Sequence, residues 1–333
     1  MGLARSLYVK KGEEGVYHCT TRCVRQAYLC GRDRVTNRDL SHRREWIVNR
    51  LRYLAGIFAV DVCNHAVLHT HQHNVLRTRP DIVAGWTRDE VADRWLTLAP
   101  PRGKAAGAEG MDTARAFLLS WPERIEELRM RLCDLSWFMK YHNEPISRAA
   151  NAEDGTRGRF WESRYECHPL LDEGAIISCM VYVDLNPIRA GIASTPEASD
   201  FTGVQERIRR MKLGMGPTGS PGLLDDGSSY LCPIASNPLR RGILNMTETE
   251  YIELVDEMGR MLHPDKRGSI PSAMRPILER VGIKPDEWVD TICSYESRFG
   301  QAVGSEPSLR SYADRIGKRW VHGVRSARKS FRS

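Results

Sequence analysis

The chain has 333 residues, of which 41% are hydrophobic and 27% charged, and its net charge is +7. That balance is ordinary for a globular protein of one large or two medium domains. No apolar run approaches the ~20 residues needed to span a bilayer, and Met1 to Lys11 lack a signal-peptide core, so an intracellular, cytoplasmic protein without a membrane partner is expected.

The nine cysteines include no paired CxxC knuckles, which favours reduced, buried thiols over a disulfide or zinc framework. The excess charge is concentrated at the end of the chain. Pro307 to Ser333 holds eight basic residues and one acid, among them Lys318 and Arg319, so the remaining 306 residues sum to about zero. With Tyr312, Trp320 and Phe331 interleaved, this tail suits a polyanion such as DNA.

In chain order, Gly15 to Val24 is β-branched-rich and alternating and reads as the first strand. His42 to Val60 reads as a helix with Ile47, Leu51, Leu54 and Phe58 on one stripe. Val60–Leu68 and His71–Arg77 read as strands, Ile82–Leu98 as helix, and Gly103–Gly110 as a loop. Pro122 to Ala150 reads as one helix that Pro145 is expected to break or kink. A basic loop leads to Arg159–Tyr165, a predicted strand, and then to the helix Asp172–Asn186, which Pro187 disfavours continuing.

Beyond Thr195 the composition changes. Phe201–Leu213 reads as a short basic helix and Gly214–Ser229 as a Gly/Pro/Ser linker. Thr247 and Glu250 have capping-box spacing before a helix with Tyr251, Leu254, Val255, Met258 and Leu262 on one face. The expected organisation is a catalytic domain at 1–200, a basic helix and linker at 201–245, and a helical extension with basic tail at 246–333. The fold class expected for the first part is α+β, with helices on one face of an antiparallel sheet.

Four of the ten histidines fall between His65 and His73. In a strand, His71 and His73 point to the same face and make half of a metal site. Tyr182 and Asn186, four apart on a helix, share a face one turn apart and could complete it. Two imidazoles and an amide suit a divalent cation, Mg²⁺, Mn²⁺ or another, that polarises a phosphodiester. A phenol nearby can attack phosphorus and hold the phosphate covalently.

The run Ala66 to Leu76 resembles the HUH motif of single-tyrosine transposases of the IS200/IS605 type. Gly158 to Arg164, followed by Tyr182 to Arg189, resembles the REP-associated tyrosine transposases in that group, as does Tyr17 to Arg22 in the first strand. The resemblance spans about residues 5 to 200. It implies a ferredoxin-like domain that cuts and rejoins single-stranded or hairpin DNA through a 5′-phosphotyrosine, with no small-molecule substrate and with a homodimer as a common assembly. It implies Tyr182 as nucleophile and His71, His73 and Asn186 as ligands of Mg²⁺ or Mn²⁺. Arg22, Arg77, Trp161 and Arg164 join Lys318 and Arg319 as expected DNA contacts.

One position departs from the pattern. Gln72, between the two histidines, stands where the family has an apolar residue and should point into the core behind the sheet. A buried amide without partners costs roughly 1–3 kcal/mol. It therefore raises an alternative: an edge-like strand, or a catalytically decayed or domesticated DNA-binding protein on the same fold.

Overall fold

The computed structural model describes residues 5–24, 29–33, 36–103, 106–214, 229–262, 278–279 and 283–331. The predicted linker lies almost entirely outside them. Four antiparallel strands, β1 (Gly15–Arg22), β2 (Val60–Val67), β3 (His71–Thr78) and β4 (Glu166–Leu170), form one sheet in the order β2-β3-β1-β4. β2 and β3 are joined by the short turn at Leu68–Thr70, and β3 lies between β2 and β1, so it is a central strand and not an edge.

Helices cover both faces of this sheet, in place of the single face expected. α1 (Arg43–Ala55) and the long α6 (Leu135–Glu153) pack on one face, where Leu51, Leu54, Phe138 and Met139 meet Tyr17, Cys19, Leu76 and Cys167. α7 (Glu173–Asp184) covers the other, against Val16, Ala66, Val75 and Leu170. All eight residues of β2 are buried, the polar Asp61, Asn64 and His65 among them, so both of its faces are covered and its polar groups find partners inside. Likewise every residue from Gly174 to Asp184 is buried, so α7 is a core helix enclosed on all sides.

The long helix expected at Pro122–Ala150 is two helices, α5 (Pro122–Arg131) and α6. The break falls before Asp134, whose carboxylate accepts from the amides of Ser136 and Trp137 and so starts α6 afresh. α6 runs on through Pro145. Between β3 and α5 lie α2 (Pro80–Ala84), α3 (Arg88–Leu98) and α4 (Ala108–Leu119). The strand expected at Arg159–Tyr165 is a turn that makes only the Cys23–Trp161 bridge, and the true β4 begins at Glu166. After α7, Pro187 opens the single turn α8 (Asn186–Arg189), its missing amide being harmless at a helix start.

The C-terminal residues fold onto the α7 face. α9 (Gly203–Lys212) and α10 (Glu248–Leu262) come first, α10 with its Thr247–Glu250 capping box in place. α11 (Pro285–Cys293), α12 (Tyr295–Arg298), α13 (Glu306–Arg315) and α14 (Val324–Ser330) follow. Tyr251, Leu254, Trp288, Tyr295, Tyr312 and Phe331 belong to one hydrophobic cluster with α7 and the sheet. Two of the three tail aromatics, Tyr312 and Phe331, are therefore core residues, whereas Trp320 is 71% exposed.

Buried polar groups fasten this attachment. Asp184 accepts from Tyr251 Oη (2.5 Å), Asn64 Nδ2 (2.9 Å) and the Val204 amide (3.0 Å), tying α7 to β2, α9 and α10. Burial raises its carboxyl to about 6 despite those donors. All nine cysteines are free thiols, eight of them buried. No helix among the described residues is long and apolar enough to cross a membrane.

Candidate active site

The antiparallel register sets Thr20 opposite His73 and Arg22 opposite His71. Alternation then puts His18, Thr20 and Arg22 of β1 on the same face as His71 and His73 of β3. His18 Nε2 lies 2.9 Å from His73 Nδ1, and Thr20 Oγ1 lies 3.2 Å from the same Nδ1. The two rings stack at 5.1 Å, and the His71 ring meets the His73 ring edge-on at 4.9 Å. His168, opposite His18 on β4, is 6.3 Å away ring to ring.

α7 packs over this face and brings Tyr182 to it, and Asn186, at the start of α8 two residues beyond, reaches it as well. Asn186 Nδ2 is 3.3 Å from His73 Nε2, and the Tyr182 ring meets the His73 ring edge-on at 5.8 Å. Four residues named from the sequence as metal ligands and nucleophile thus stand together. His73 has both nitrogens engaged: Nδ1 with the His18–Thr20 pair, Nε2 with Asn186.

Burial holds all three imidazoles neutral. It lowers His18 to about 3 and His71 to about 4, and pushes His73 well below the ordinary histidine range, with neighbouring His18 and His71 adding to the effect. Neutral imidazoles offer lone pairs and add no positive charge. Among the described residues no group of three His, Cys, Asp or Glu side chains is disposed to hold a metal ion.

Two residues from the far end of the chain complete the surroundings. Tyr182 is 2% exposed; its hydroxyl donates to Glu296 Oε1 at 2.5 Å, and its ring stacks on Tyr295 at 4.7 Å and 19°. Burial, with Glu296 next, raises the Tyr182 phenol above the ordinary tyrosine range. The Arg189 guanidinium sits 4.9 Å from the Tyr182 ring centre and donates to the Cys293 carbonyl at 2.8 Å. A cavity of about 410 Å³ adjoins the site, bordered by His18, Thr20, Arg22, His168, Tyr295 and Glu296 among others.

The expected DNA contacts divide. Arg22 is exposed and borders the cavity. Arg164 is exposed, whereas Trp161 is half-buried and donates from Nε1 to the Asn143 carbonyl at 3.0 Å. Arg77 is 3% exposed and committed to Asp61 at 2.7 Å and to the Arg241 and Gly242 carbonyls, so a buried ion-pair network holds it away from the surface. Lys318 is half-buried, its Nζ 3.4 Å from Gln301 Oε1, and Arg319 is exposed beside Trp320. His65 is buried against the Tyr230 hydroxyl at 2.6 Å and is no surface group.

Gln72 has partners. Its Oε1 accepts from His142 Nε2 at 2.9 Å, and its Nε2 donates to Asn143 Oδ1 at 3.1 Å; Asn143 in turn donates to Thr21 Oγ1. The polar inward face of β3 at Gln72 is thus matched by α6. Sequence reading missed His18, Thr20, Glu296 and Tyr295. The first two could have been found, since alternation from Arg22 places them on the histidine face. Nothing local marks Glu296 or Tyr295.

No protein-family model matches the chain, and no curated protein does. Among solved structures, one described as a REP-associated tyrosine transposase bound to a REP hairpin is similar to it at 13% identity and a TM-score of 0.38, over 69% of this chain and 97% of that one.

Proposed function

We propose that the chain is a metal-dependent DNA strand transferase that cuts and rejoins single-stranded, hairpin-associated DNA through a 5′-phosphotyrosine on Tyr182. The observation that carries this reading is the convergence of Tyr182 of α7 and Asn186 of α8 on His73, more than a hundred residues away in sequence, with Asn186 Nδ2 at 3.3 Å from His73 Nε2. The sheet order β2-β3-β1-β4, with helices in both crossovers, supports a ferredoxin-like core for it.

The donor set fits a divalent cation. His71, His73 and the Asn186 amide would hold it. A ligating histidine ordinarily has its other nitrogen fixed by a hydrogen-bonding partner, and His18 with Thr20 does this for His73 Nδ1. Such a cation would balance charge on the phosphodiester. The protein's own residues supply the phenol, its packing against Tyr295, and the exposed guanidiniums Arg22, Arg164 and Arg319 for the phosphate backbone.

The Gln72 amide is hydrogen-bonded at both ends, which supports reading it as an accommodated residue of a working copy. The test is incubation with a library of single-stranded hairpins with and without Mg²⁺ or Mn²⁺. A denaturation-stable protein–DNA adduct that needs the metal and is lost in Tyr182→Phe is expected. Equal adduct from Tyr182→Phe would end the assignment.

A further inference from the structure

We propose that Glu296 is the general base of this site, taking the proton from Tyr182 as its oxygen attacks phosphorus; the inference rests on the strand-transfer reading above. The geometry points to it directly. The Tyr182 hydroxyl, buried with the rest of its side chain, donates to Glu296 Oε1 at 2.5 Å. Glu296 itself is exposed and borders the 410 Å³ cavity, so its carboxylate links the enclosed phenol to solvent. A candidate base must lie within hydrogen-bond reach of the proton it removes, and this carboxylate does.

The other polar groups near the phenol serve less well. Arg189 is a cation lying over the ring, and the Asn186 amide has no basic nitrogen. His18 and His73 are engaged with one another through Nε2 and Nδ1, and His73 Nε2 faces Asn186. The position of Glu296 is fixed from two sides. Tyr295, its neighbour in α12, stacks on Tyr182, and Arg189 grips the Cys293 carbonyl just before α12.

The step balances. Tyr182 gives its hydroxyl proton to the Glu296 carboxylate, and the phenolate oxygen forms the bond to phosphorus. The bond from phosphorus to the 3′ oxygen breaks, and that oxygen keeps the electron pair. The Glu296 carboxylic acid returns the proton to the 3′ oxygen through cavity water, so no net proton is taken up or released. Rejoining runs the same sequence backwards, with Glu296 deprotonating the attacking 3′ hydroxyl. In this account the C-terminal segment is part of the catalytic site.

The experiment compares the full-length chain with Glu296→Gln, which keeps shape and can still accept the hydroxyl's hydrogen bond but cannot take the proton. Single-turnover adduct formation should fall by about 10²–10⁴-fold in Glu296→Gln, with affinity for the same DNA and the melting temperature unchanged. Glu296→Asp should retain part of the rate. Replacing Tyr182 by a fluorinated tyrosine, whose phenol gives up its proton more readily, should restore about tenfold or more of the Glu296→Gln loss, because the base is then needed less.

A rate unchanged or raised in Glu296→Gln overturns the proposal, the second result making Glu296 a restraint on the phenol. A rate loss that fluorotyrosine does not relieve also overturns it, since the role would then be structural. Wild-type chain that forms no adduct on any substrate overturns the strand-transfer reading itself. Wild-type adduct with an indifferent Glu296 overturns this inference alone.

Discussion

Gln72 and His142 close a 2.9 Å hydrogen bond across the interface of β3 and α6, with Asn143 holding the other end of the amide. Gln72→Leu strands a buried imidazole N–H and a half-buried amide oxygen, and should destabilise the fold by about 1–3 kcal/mol in urea unfolding. Adding His142→Leu should recover part of that loss, with a coupling of about 0.5–3 kcal/mol in a double-mutant cycle. Gln72 points away from His71 and His73, so strand cleavage per folded molecule should be nearly unchanged.

The proposed ligand set makes a separate prediction about metal. A ligand that binds only the folded state at 100 times its Kd stabilises by about 2.7 kcal/mol. Mn²⁺ should therefore raise the melting temperature of the wild type and of Tyr182→Phe alike. His71→Ala and Asn186→Ala should lose most of that rise. A rise that survives in both would place the cation elsewhere.

Tyr251 tests the anchoring of the C-terminal segment. Its hydroxyl donates to the buried Asp184 at 2.5 Å. Tyr251→Phe removes a hydrogen bond to a charged group and should lower stability by about 1.5–3 kcal/mol in denaturant unfolding. The loss should be accompanied by earlier protease cleavage after residue 246.

Stability should fall on mild acidification. Burial lowers His65 to about 4 and His142 to about 3 in the folded state, so between those values and the ordinary 6.5 the unfolded chain binds the extra protons. Their contribution is present above pH 6.5 and is lost as pH falls towards 4, at up to about 1.4 kcal/mol per unit per group. His18 and His71 act in the same direction. Asp184 acts oppositely: raised from 3.8 to about 6, it is a stabilising group below 3.8 and loses that contribution as pH rises through 6. Four histidines outweigh one carboxyl, so the melting temperature at pH 5 should lie below that at pH 7.

The sheet and its site were readable from sequence where the signal is local. Alternation marked β1, β2 and β3 and put His71 and His73 on one face, while Tyr182 and Asn186 stood out through their helical spacing together with the resemblance of the stretches around them. Reading failed where tertiary context decides. Arg159–Tyr165 has strand composition but makes only one bridge, because β4 pairs with β1 further on. Arg77 resembles a surface cation, yet Asp61 neutralises it inside the core. Glu296 carries no sequence mark: it meets Tyr182 only because Trp288, Tyr295 and Phe331 bury their apolar surface against α7.

The most direct measurement is to digest the adduct formed with a 3′-labelled hairpin in Mn²⁺ and locate the DNA remnant by mass spectrometry. A 5′-linked nucleotide on the peptide carrying Tyr182, absent without metal and absent in Tyr182→Phe, is the predicted result. A remnant on any other residue, or one linked through a 3′ phosphate, would contradict the account.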